Sequence, residues 1–182
     1  MVPKPETAEE IGLLRAVLGP ACPPIWPVIE SAAALKSAWD ICAAAGVGGV
    51  VFGGVDFSAD IGSNMGWDAL FLARSTLAAA CARSGIGLLD VPYLDMADEA
   101  GLLAETARVK AMGFQGRACI HPAQIGAINA VFTPTPDERD WARQVIETFA
   151  AAKGNAALLN GKLIELPVVR SAQRILDRAA KA

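Results

Sequence analysis

The stretch IWPVIESAAALKSAWDICAAAGVGGVVFGGVD, Ile25–Asp56, decides the fold. It holds a short apolar run, then an Ala-rich amphipathic run, then a second apolar run rich in β-branched residues. This order predicts a strand over Ile25–Glu30, a helix over Ser31–Ala45 and a strand over Val47–Val55. Because a helix connects them, the two strands are expected to pair in parallel, as in a βαβ unit.

The same alternation continues on both sides of this unit. We predict further strands over Val2–Lys4, Gly87–Val91 and Arg117–His121, and further helices over Thr7–Leu18, Trp67–Ser84, Asp98–Met112 and Ala123–Phe132. Five strands, each followed by a helix, predict a parallel sheet with right-handed crossovers. An eight-stranded barrel takes about 250 residues. The sequence therefore predicts an α/β fold of the TIM (β/α)8 type that is incomplete, and we expect about three units to be missing before VPK.

The pattern changes after Phe132. The segment TPTPDE predicts a turn that leads into a helix of roughly 20 residues from about Asp137, with Pro136 just before it. Asn160–Gly161 predicts a hairpin turn, and VVRSAQRILDRAAKA predicts one more helix with basic residues at its end. We expect a partial barrel domain over residues 1–132 and a C-terminal helical and hairpin tail over residues 133–182.

Composition and charge argue against several classes of protein. The 16 basic and 19 acidic residues give a net charge of −3 and are scattered, so no basic face is expected to bind nucleic acid or anionic lipid. The start MVPKPETAEE lacks the pattern of a signal peptide, and no apolar run is long enough to span a membrane. Four widely spaced cysteines with no C-x-x-C pair favour a reduced, cytoplasmic location.

Two carboxylates stand at the ends of neighbouring predicted strands. Glu30 ends the run PIWPVI and Asp56 ends the run VGGVVFGGV, one βα unit later. Parallel strands lie about 4.8 Å apart and end at one edge, so the two carboxylates would repel each other unless a proton or a cation intervened. Mg²⁺ prefers such oxygen ligands, and we predict Glu30 and Asp56 as its ligands. Alternatively, Glu30 only caps the helix from Ser31 and Asp56 only ends a strand.

Further polar groups follow the same strands. In FGGVDFSADIG, the successive amides of Gly54, Val55 and Asp56 are suited to hold the carboxylate of a substrate, although turn geometry alone also explains the glycine pair. His121 ends the last predicted strand, where it would act as an acid or base, line a pocket, or make a structural hydrogen bond. For Asp90 and Asp95, beside another strand end, a structural role is favoured.

Six segments, in chain order, resemble the citrate lyase beta subunit and malyl-CoA lyase family, which groups with the HpcH/HpaI aldolases. They are VPKPETAEE, PVIESAAAL, FGGVDFSADIG, DVPYLDMADEAGL, GFQGRACIHPAQI and NGKLIELPVVRSAQRIL. The resemblance implies a magnesium-bound TIM barrel in which Glu30 and Asp56 bind the ion and the amides of Gly54, Val55 and Asp56 hold a keto acid's carboxylate. It implies a carbon–carbon lyase that splits a citryl-, malyl- or citramalyl-CoA-like 3-hydroxyacyl thioester into a keto acid and an acyl thioester.

The resemblance carries expectations for the tail as well. In the family the tail reaches over the active site of a neighbouring subunit, where an acidic residue, commonly Asp, acts as acid or base on the thioester enolate. Glu165 in GKLIELP stands at that position, which implies a catalytic role, with a solvated residue beside a hairpin as the alternative. A homo-oligomer, by resemblance a trimer, is expected.

One family feature has no counterpart in this sequence. Family members carry an arginine on an early strand that binds the substrate, and early basic residues that contact CoA or a carrier protein. Stabilisation of developing negative charge is often the largest catalytic contribution, so this polypeptide alone is expected to be weakly active or inactive. Two alternatives to the thioester lyase stay open. One is an HpaI-type aldolase acting on free hydroxy-keto acids, and the other is a truncated, noncatalytic barrel fragment that serves as a scaffold.

Overall fold

The computed structural model describes residues 1–180, and the chain divides into two compact units, Met1–Asn129 and a second that begins at Ala130. The elements, in chain order, are α1 (Ala8–Leu18), β1 (Val28–Ile29), α2 (Ala32–Lys36), α3 (Ala38–Ala43), β2 (Gly49–Phe52), α4 (Gly54–Asp60), α5 (Trp67–Ser84), β3 (Gly87–Asp90), α6 (Glu99–Ala111), β4 (Gly116–Arg117), α7 (Gln124–Phe132), α8 (Pro136–Ala151), β5 (Ala157–Leu159), β6 (Lys162–Ile164) and α9 (Leu166–Ala179). None of the helices described is both long and apolar enough to cross a membrane.

The first unit is built on a parallel sheet whose strands follow the order of the chain, β1-β2-β3-β4. An isolated parallel bridge from Val2 to Pro27 adds the first predicted strand beside β1. Strands that succeed one another without reversal form a barrel wall, whereas a doubly wound sheet reverses its strand order. The predicted α/β fold is confirmed as an unclosed portion of a TIM-type barrel.

Several predicted boundaries are wrong. The predicted strand Val47–Val55 ends at Phe52, because α4 begins at Gly54 and takes Asp56 out of the sheet. The predicted helix Ser31–Ala45 is interrupted at Ser37, whose position between α2 and α3 fits the tendency of serine to favour helix ends. The last strand does not reach His121.

The shortness of β4 has a cause in its neighbour. β3 ends at Asp90, and Pro92 soon after it has no N–H to donate to a ladder. The last ladder-like bond on this side runs from the amide of Ala118 to the carbonyl of Asp90. Beyond that point β4 has no partner strand to pair with, so the predicted extension to His121 does not form.

The core of the first unit lies between the sheet and the helices. All four residues of β2 are buried, as expected for a central parallel strand covered on both faces. On the helix side, α5 buries residues at a spacing of three or four: Leu70, Ala73, Arg74, Leu77, Ala80 and Cys81. On the other face the ring of Trp26 lies against Gly49, where a Cβ would come within 2.4 Å of the ring.

The second unit contains the predicted helices and hairpin. α8 begins with a capping box between Thr135 and Glu138, and Pro136 fits its first turn. The two-residue hairpin turn at Asn160–Gly161 is confirmed, since both residues have positive φ (50° and 75°), as a type I′ turn requires. The core of this unit comprises Ala142, Val145, Ile164 and Ala172. The prediction for the last helix includes residues 181 and 182, which lie outside the described residues.

Candidate metal and substrate site

Glu30 directly follows β1, at the C-terminal edge of the sheet. The residue is only 9% exposed, and its Oε1 accepts a hydrogen bond of 3.0 Å from the backbone N–H of Lys4. Gly53 follows β2 at the neighbouring position, and a Cβ on it would lie 2.4 Å from the Cβ and 2.7 Å from Oε2 of Glu30. The glycine at position 53 therefore makes room for this carboxylate.

Asp56 lies in the first turn of α4, not at the end of a strand. Its side chain is half exposed, and its Oδ1 lies 3.0 Å from Nζ of Lys4. Lys4 thus contacts both predicted ligands, through its amide to Glu30 and its ammonium to Asp56. Its φ of 50° is in the left-handed region, which side-chain-bearing residues rarely adopt and which is frequent at functional sites.

The two carboxylates influence each other electrostatically. Burial raises the pKa of Glu30, and the negative charge of Asp56 raises it further. The hydrogen bond from the Lys4 amide and the Lys4 charge act in the opposite direction. The pKa of Lys4 is raised from its ordinary value by its hydrogen bond to Asp56 and the charge of that residue. Positive charge is therefore favoured at this point of the sheet edge.

The donor set fits magnesium in chemistry and in space. Mg²⁺ takes one or two protein carboxylates and fills its other positions with water and substrate oxygens. Glu30 supplies a nearly buried carboxylate beside a glycine, and Asp56 supplies one open to solvent. Across residues 1–180 no group of three or more His, Cys, Asp or Glu is suited to hold a metal ion, so an ion bound here would rely on these two side chains.

The three predicted amide donors adjoin the carboxylates. Gly54, Val55 and Asp56 are the first residues of α4, and the first amides of a helix have no acceptor within it. The first amide that bonds back belongs to Phe57, which donates to the carbonyl of Gly53. Gly54 is tightly enclosed, since a Cβ there would lie 3.1 Å from a methyl of Val91.

Other predicted residues lie elsewhere. His121 is exposed beyond β4, and its Nδ1 accepts a hydrogen bond from the backbone N–H of Ala123 in a local turn. In the same manner, Oδ1 of Asp95 accepts a hydrogen bond from the backbone N–H of Ala97. Glu165 belongs to the second unit, where it is the N-cap residue of α9 without a side-chain capping bond. Its catalytic role and the reach of the tail to a neighbouring subunit stay predictions.

Asp90 is part of a buried ion network between the sheet and α5 and α6. Its two carboxylate oxygens accept hydrogen bonds from Arg74, at 3.0 and 3.1 Å, and one of them also from Arg117. Glu105 of α6 bonds to both arginines, at 3.1 and 2.7 Å. Asp90 is fully buried, so its charge depends on these guanidinium groups for compensation. This placement agrees with the structural role that the sequence favours.

Sequence reasoning missed Lys4 and Gly53. Lys4 ends the first predicted strand, so the rule that singled out Glu30, a polar residue at a strand end, would have found it. Gly53 gives no such signal, because a glycine after a strand is usual in a βα turn. Its proximity to Glu30 follows only from the register in which Ile29 pairs with Phe52.

Comparison with known proteins places the chain among its relatives. Residues 1–122 match the HpcH/HpaI aldolase/citrate lyase family, and residues 73–181 match the carbon–carbon bond lyases of the TIM-barrel fold. The chain belongs to the HpcH/HpaI aldolase/citrate lyase family. The predicted family is thus confirmed, and its members include carbon–carbon lyases.

Three relatives of this chain carry different names within the family. The mitochondrial citramalyl-CoA lyase of Mus musculus is 38% identical over 136 residues, 71% of this chain and 40% of that protein. The (3S)-malyl-CoA thioesterase of Cereibacter sphaeroides is 32% identical over 98% of this chain and 64% of its own length. The solved structure of CitE from Mycobacterium tuberculosis, in complex with magnesium, acetoacetate and coenzyme A, superposes with a TM-score of 0.82 at 29% identity, over 97% of this chain and 66% of that one. The chain therefore spans less than two thirds of the length of the citramalyl-CoA lyase and of the (3S)-malyl-CoA thioesterase.

Proposed function

We propose that this protein is a magnesium-dependent carbon–carbon lyase that acts on a carboxylated 3-hydroxyacyl thioester of the citryl-, malyl- or citramalyl-CoA type. The observation that carries the proposal is the pair Glu30 and Asp56 at the C-terminal edge of the sheet, with a cation, the Lys4 ammonium, held beside them. Active groups of barrel enzymes lie at this edge. Membership of a family with citramalyl-CoA lyases, and a relative solved with magnesium and coenzyme A, support it.

In this proposal Glu30 and Asp56 hold the ion, and each contributes differently. Glu30 is enclosed by Gly53 and fixed by the Lys4 amide, so it supplies a rigid ligand. Asp56 is half exposed and is free to turn toward an arriving ion once Lys4 releases it. A magnesium ion bound here would act as a Lewis acid on the carbonyl oxygen of the keto-acid fragment.

The backbone at the start of α4 would orient the substrate. Gly54, Val55 and Asp56 form the first turn of a helix, so their N–H groups have no hydrogen-bond acceptor within that helix. A keto acid's carboxylate would accept hydrogen bonds from them, beside the two metal-binding carboxylates. Because these donors belong to the backbone, they would be fixed before the substrate arrives, as electrostatic stabilisation requires.

Proton transfer to the thioester fragment would fall to another group, for which we propose Glu165. It is exposed and its side chain makes no capping bond to α9, so its carboxylate is available to exchange a proton. We further propose that the protein is a cytoplasmic homo-oligomer, a trimer by resemblance, in which the tail packs on a neighbouring subunit.

Metal binding is the first test of the proposal. We expect titration calorimetry to show that the parent protein binds Mg²⁺ and that the affinity is at least tenfold lower in Glu30→Gln and in Asp56→Asn, since each substitution removes one of two ligands. Glu9→Gln, on the exposed face of α1, is the matched control and should bind as the parent protein does. Mg²⁺ binding that survives in the Glu30→Gln, Asp56→Asn double variant would refute the assigned site.

Activity is tested separately by the release of a keto acid from citramalyl-, malyl- and citryl-CoA, with and without Mg²⁺. Magnesium-dependent release that both carboxylate variants lose is the expected result. Release from free hydroxy-keto acids with no thioester would favour the aldolase alternative. Metal binding without any cleavage would support the noncatalytic fragment.

A further inference from the structure

Two cysteines from different helices meet in the core of the first unit. Cys42 of α3 and Cys81 of α5 have their Sγ atoms 3.8 Å apart, although 39 residues separate them in the chain. Each residue is 2% exposed. A disulfide requires an S–S distance of about 2.05 Å and usual Cα separations of roughly 4.4–6.8 Å. The two sulfur atoms are already in contact, and a further approach of roughly 1.8 Å would bring them to bonding distance.

A cavity reaches one member of this pair, Cys42. It has a volume of about 490 Å³, and its walls include Cys42, Trp39, Arg83 and Ile86. It lies where α3 and α5 end and β2 and β3 begin, at the edge of the sheet opposite to Glu30 and Gly53. Cys81 is not among the residues that line the cavity, so an oxidant that enters it meets Cys42 first.

The environments of the two sulfur atoms differ in the way that a reactive pair requires. The hydrogen bond shared with Cys81 lowers the pKa of Cys42, against the opposing effect of burial. The same hydrogen bond, together with burial, raises the pKa of Cys81. Cys42 also borders the cavity, whereas Cys81 does not, so this geometry makes Cys42 the sulfur that a small oxidant reaches first.

We propose that Cys42 and Cys81 are a modification site at which a peroxide forms a reversible disulfide between α3 and α5. The Cys42 thiolate attacks one oxygen of hydrogen peroxide, the O–O bond breaks, and sulfenic acid and hydroxide form; the hydroxide takes up the proton that the Cys42 thiol released and becomes water. The Cys81 thiol then attacks the sulfenic sulfur, the S–S bond forms, and its proton leaves with the hydroxyl as water. Two thiols are oxidised and one peroxide is reduced to two waters.

The cross-link would tie together the helices that flank the central strand. α3 and α5 pack against each other and α5 against β2, after whose end Gly53 lies. Closing a loop of this length removes conformational freedom from the unfolded chain, so the oxidised form should be the more stable one. The proposal is independent of the lyase activity, since it concerns the opposite edge of the sheet.

The experiment uses the whole chain with Cys22→Ala and Cys119→Ala, because those partly or fully exposed cysteines would otherwise react. After brief treatment with hydrogen peroxide and blocking of remaining thiols, intact mass should show a loss of two hydrogens and no added blocking groups. Peptide mapping should recover Cys42 joined to Cys81. The midpoint of thermal unfolding should rise by roughly 5–15 °C and return on addition of dithiothreitol.

Two further variants show which of the two sulfur atoms the peroxide oxidises first. Cys81→Ala in the same background should give Cys42 sulfenic acid, detected with dimedone, and no rise in the unfolding midpoint. Cys42→Ala should give neither product, since Cys81 lacks its partner. The proposal would be overturned if both thiols of the Cys22→Ala, Cys119→Ala protein could still be blocked after peroxide treatment, or if its unfolding midpoint stayed constant or fell on oxidation. Both outcomes are measured on the protein that keeps Cys42 and Cys81, so they hold even where the two further variants fold poorly.

Discussion

Gly53→Ala is the perturbation that most directly probes the candidate site. The added Cβ would lie 2.4 Å from the Cβ of Glu30, 2.7 Å from its Oε2 and 3.0 Å from a methyl of Val28. Two of these atoms lie close to the backbone of β1 and have little freedom to rotate away. Ordinary contact between carbon atoms requires about 3.5 Å or more. Glu30 must therefore move by about 1 Å, together with the end of β1.

The displacement has two measurable consequences. Forcing a methyl into a packed site costs about 1–3 kcal/mol in the free energy of unfolding. A metal ligand shifted by this amount is expected to lower Mg²⁺ affinity on the order of tenfold to a hundredfold, as the loss of supporting contacts does at other metal sites. Urea unfolding without metal measures the first effect, and titration calorimetry measures the second.

Gly12→Ala is the matched control. Gly12 lies inside α1, and a Cβ there meets no atom within 4 Å. The same substitution should stabilise the protein by about 0.5–1 kcal/mol, because alanine favours a helix interior over glycine. Its Mg²⁺ affinity should equal that of the parent. Gly53→Ala with unchanged stability and unchanged Mg²⁺ affinity would refute the assigned packing between Gly53 and Glu30.

Two other substitutions, the second with a control, probe charge. Because the folded state raises the pKa of Glu30 above its ordinary value of 4.5, the stability this group contributes is complete below pH 4.5 and is lost as the pH rises through the raised pKa. Metal-free Glu30→Gln should therefore gain stability relative to the parent between pH 4 and pH 7 in urea unfolding; a constant difference would contradict this. Arg117→Met should lower the free energy of unfolding by about 3 kcal/mol, because the fully buried Asp90 carboxylate then keeps only Arg74 as a partner. The control Arg143→Met breaks the exposed pair with Asp140 and should lower it by less than about 1 kcal/mol. Equal costs would show that the buried network contributes no more than a surface pair.

The alternation of apolar and amphipathic runs was sufficient to predict the elements of the first unit. α5 has the predicted bounds, and β3 ends one residue before the predicted limit. The pattern failed between Phe52 and Asp56, because a glycine pair with a valine allows a strand to continue or a helix to begin. Helix α4 forms there, and Gly54 packs so closely that an added Cβ would lie 3.1 Å from Val91 and 3.2 Å from Leu70, which belong to other segments of the chain.

For the site, Glu30 was accessible to sequence reasoning and its surroundings were not. A carboxylate after a buried apolar run marks a strand end, and strand ends of parallel sheets share an edge. The amide of Lys4 that holds Glu30 lies 26 residues earlier. Its position depends on the bridge that places Val2 beside Pro27, which no local pattern records.

The sequence by itself predicted the βα order and the parallel sheet, because burial and local turn preferences leave periodic traces in the chain. The resemblance of six segments indicated the family, and the same segments singled out Glu30 and Asp56, whose role as metal ligands stays a prediction. Only the tertiary structure decided that Lys4 joins Glu30 to Asp56, that Gly53 lies against Glu30, and that Cys42 meets Cys81. These contacts join residues on different strands or helices. Their distances are decided by strand register and helix packing, which depend on the whole core and not on any one segment.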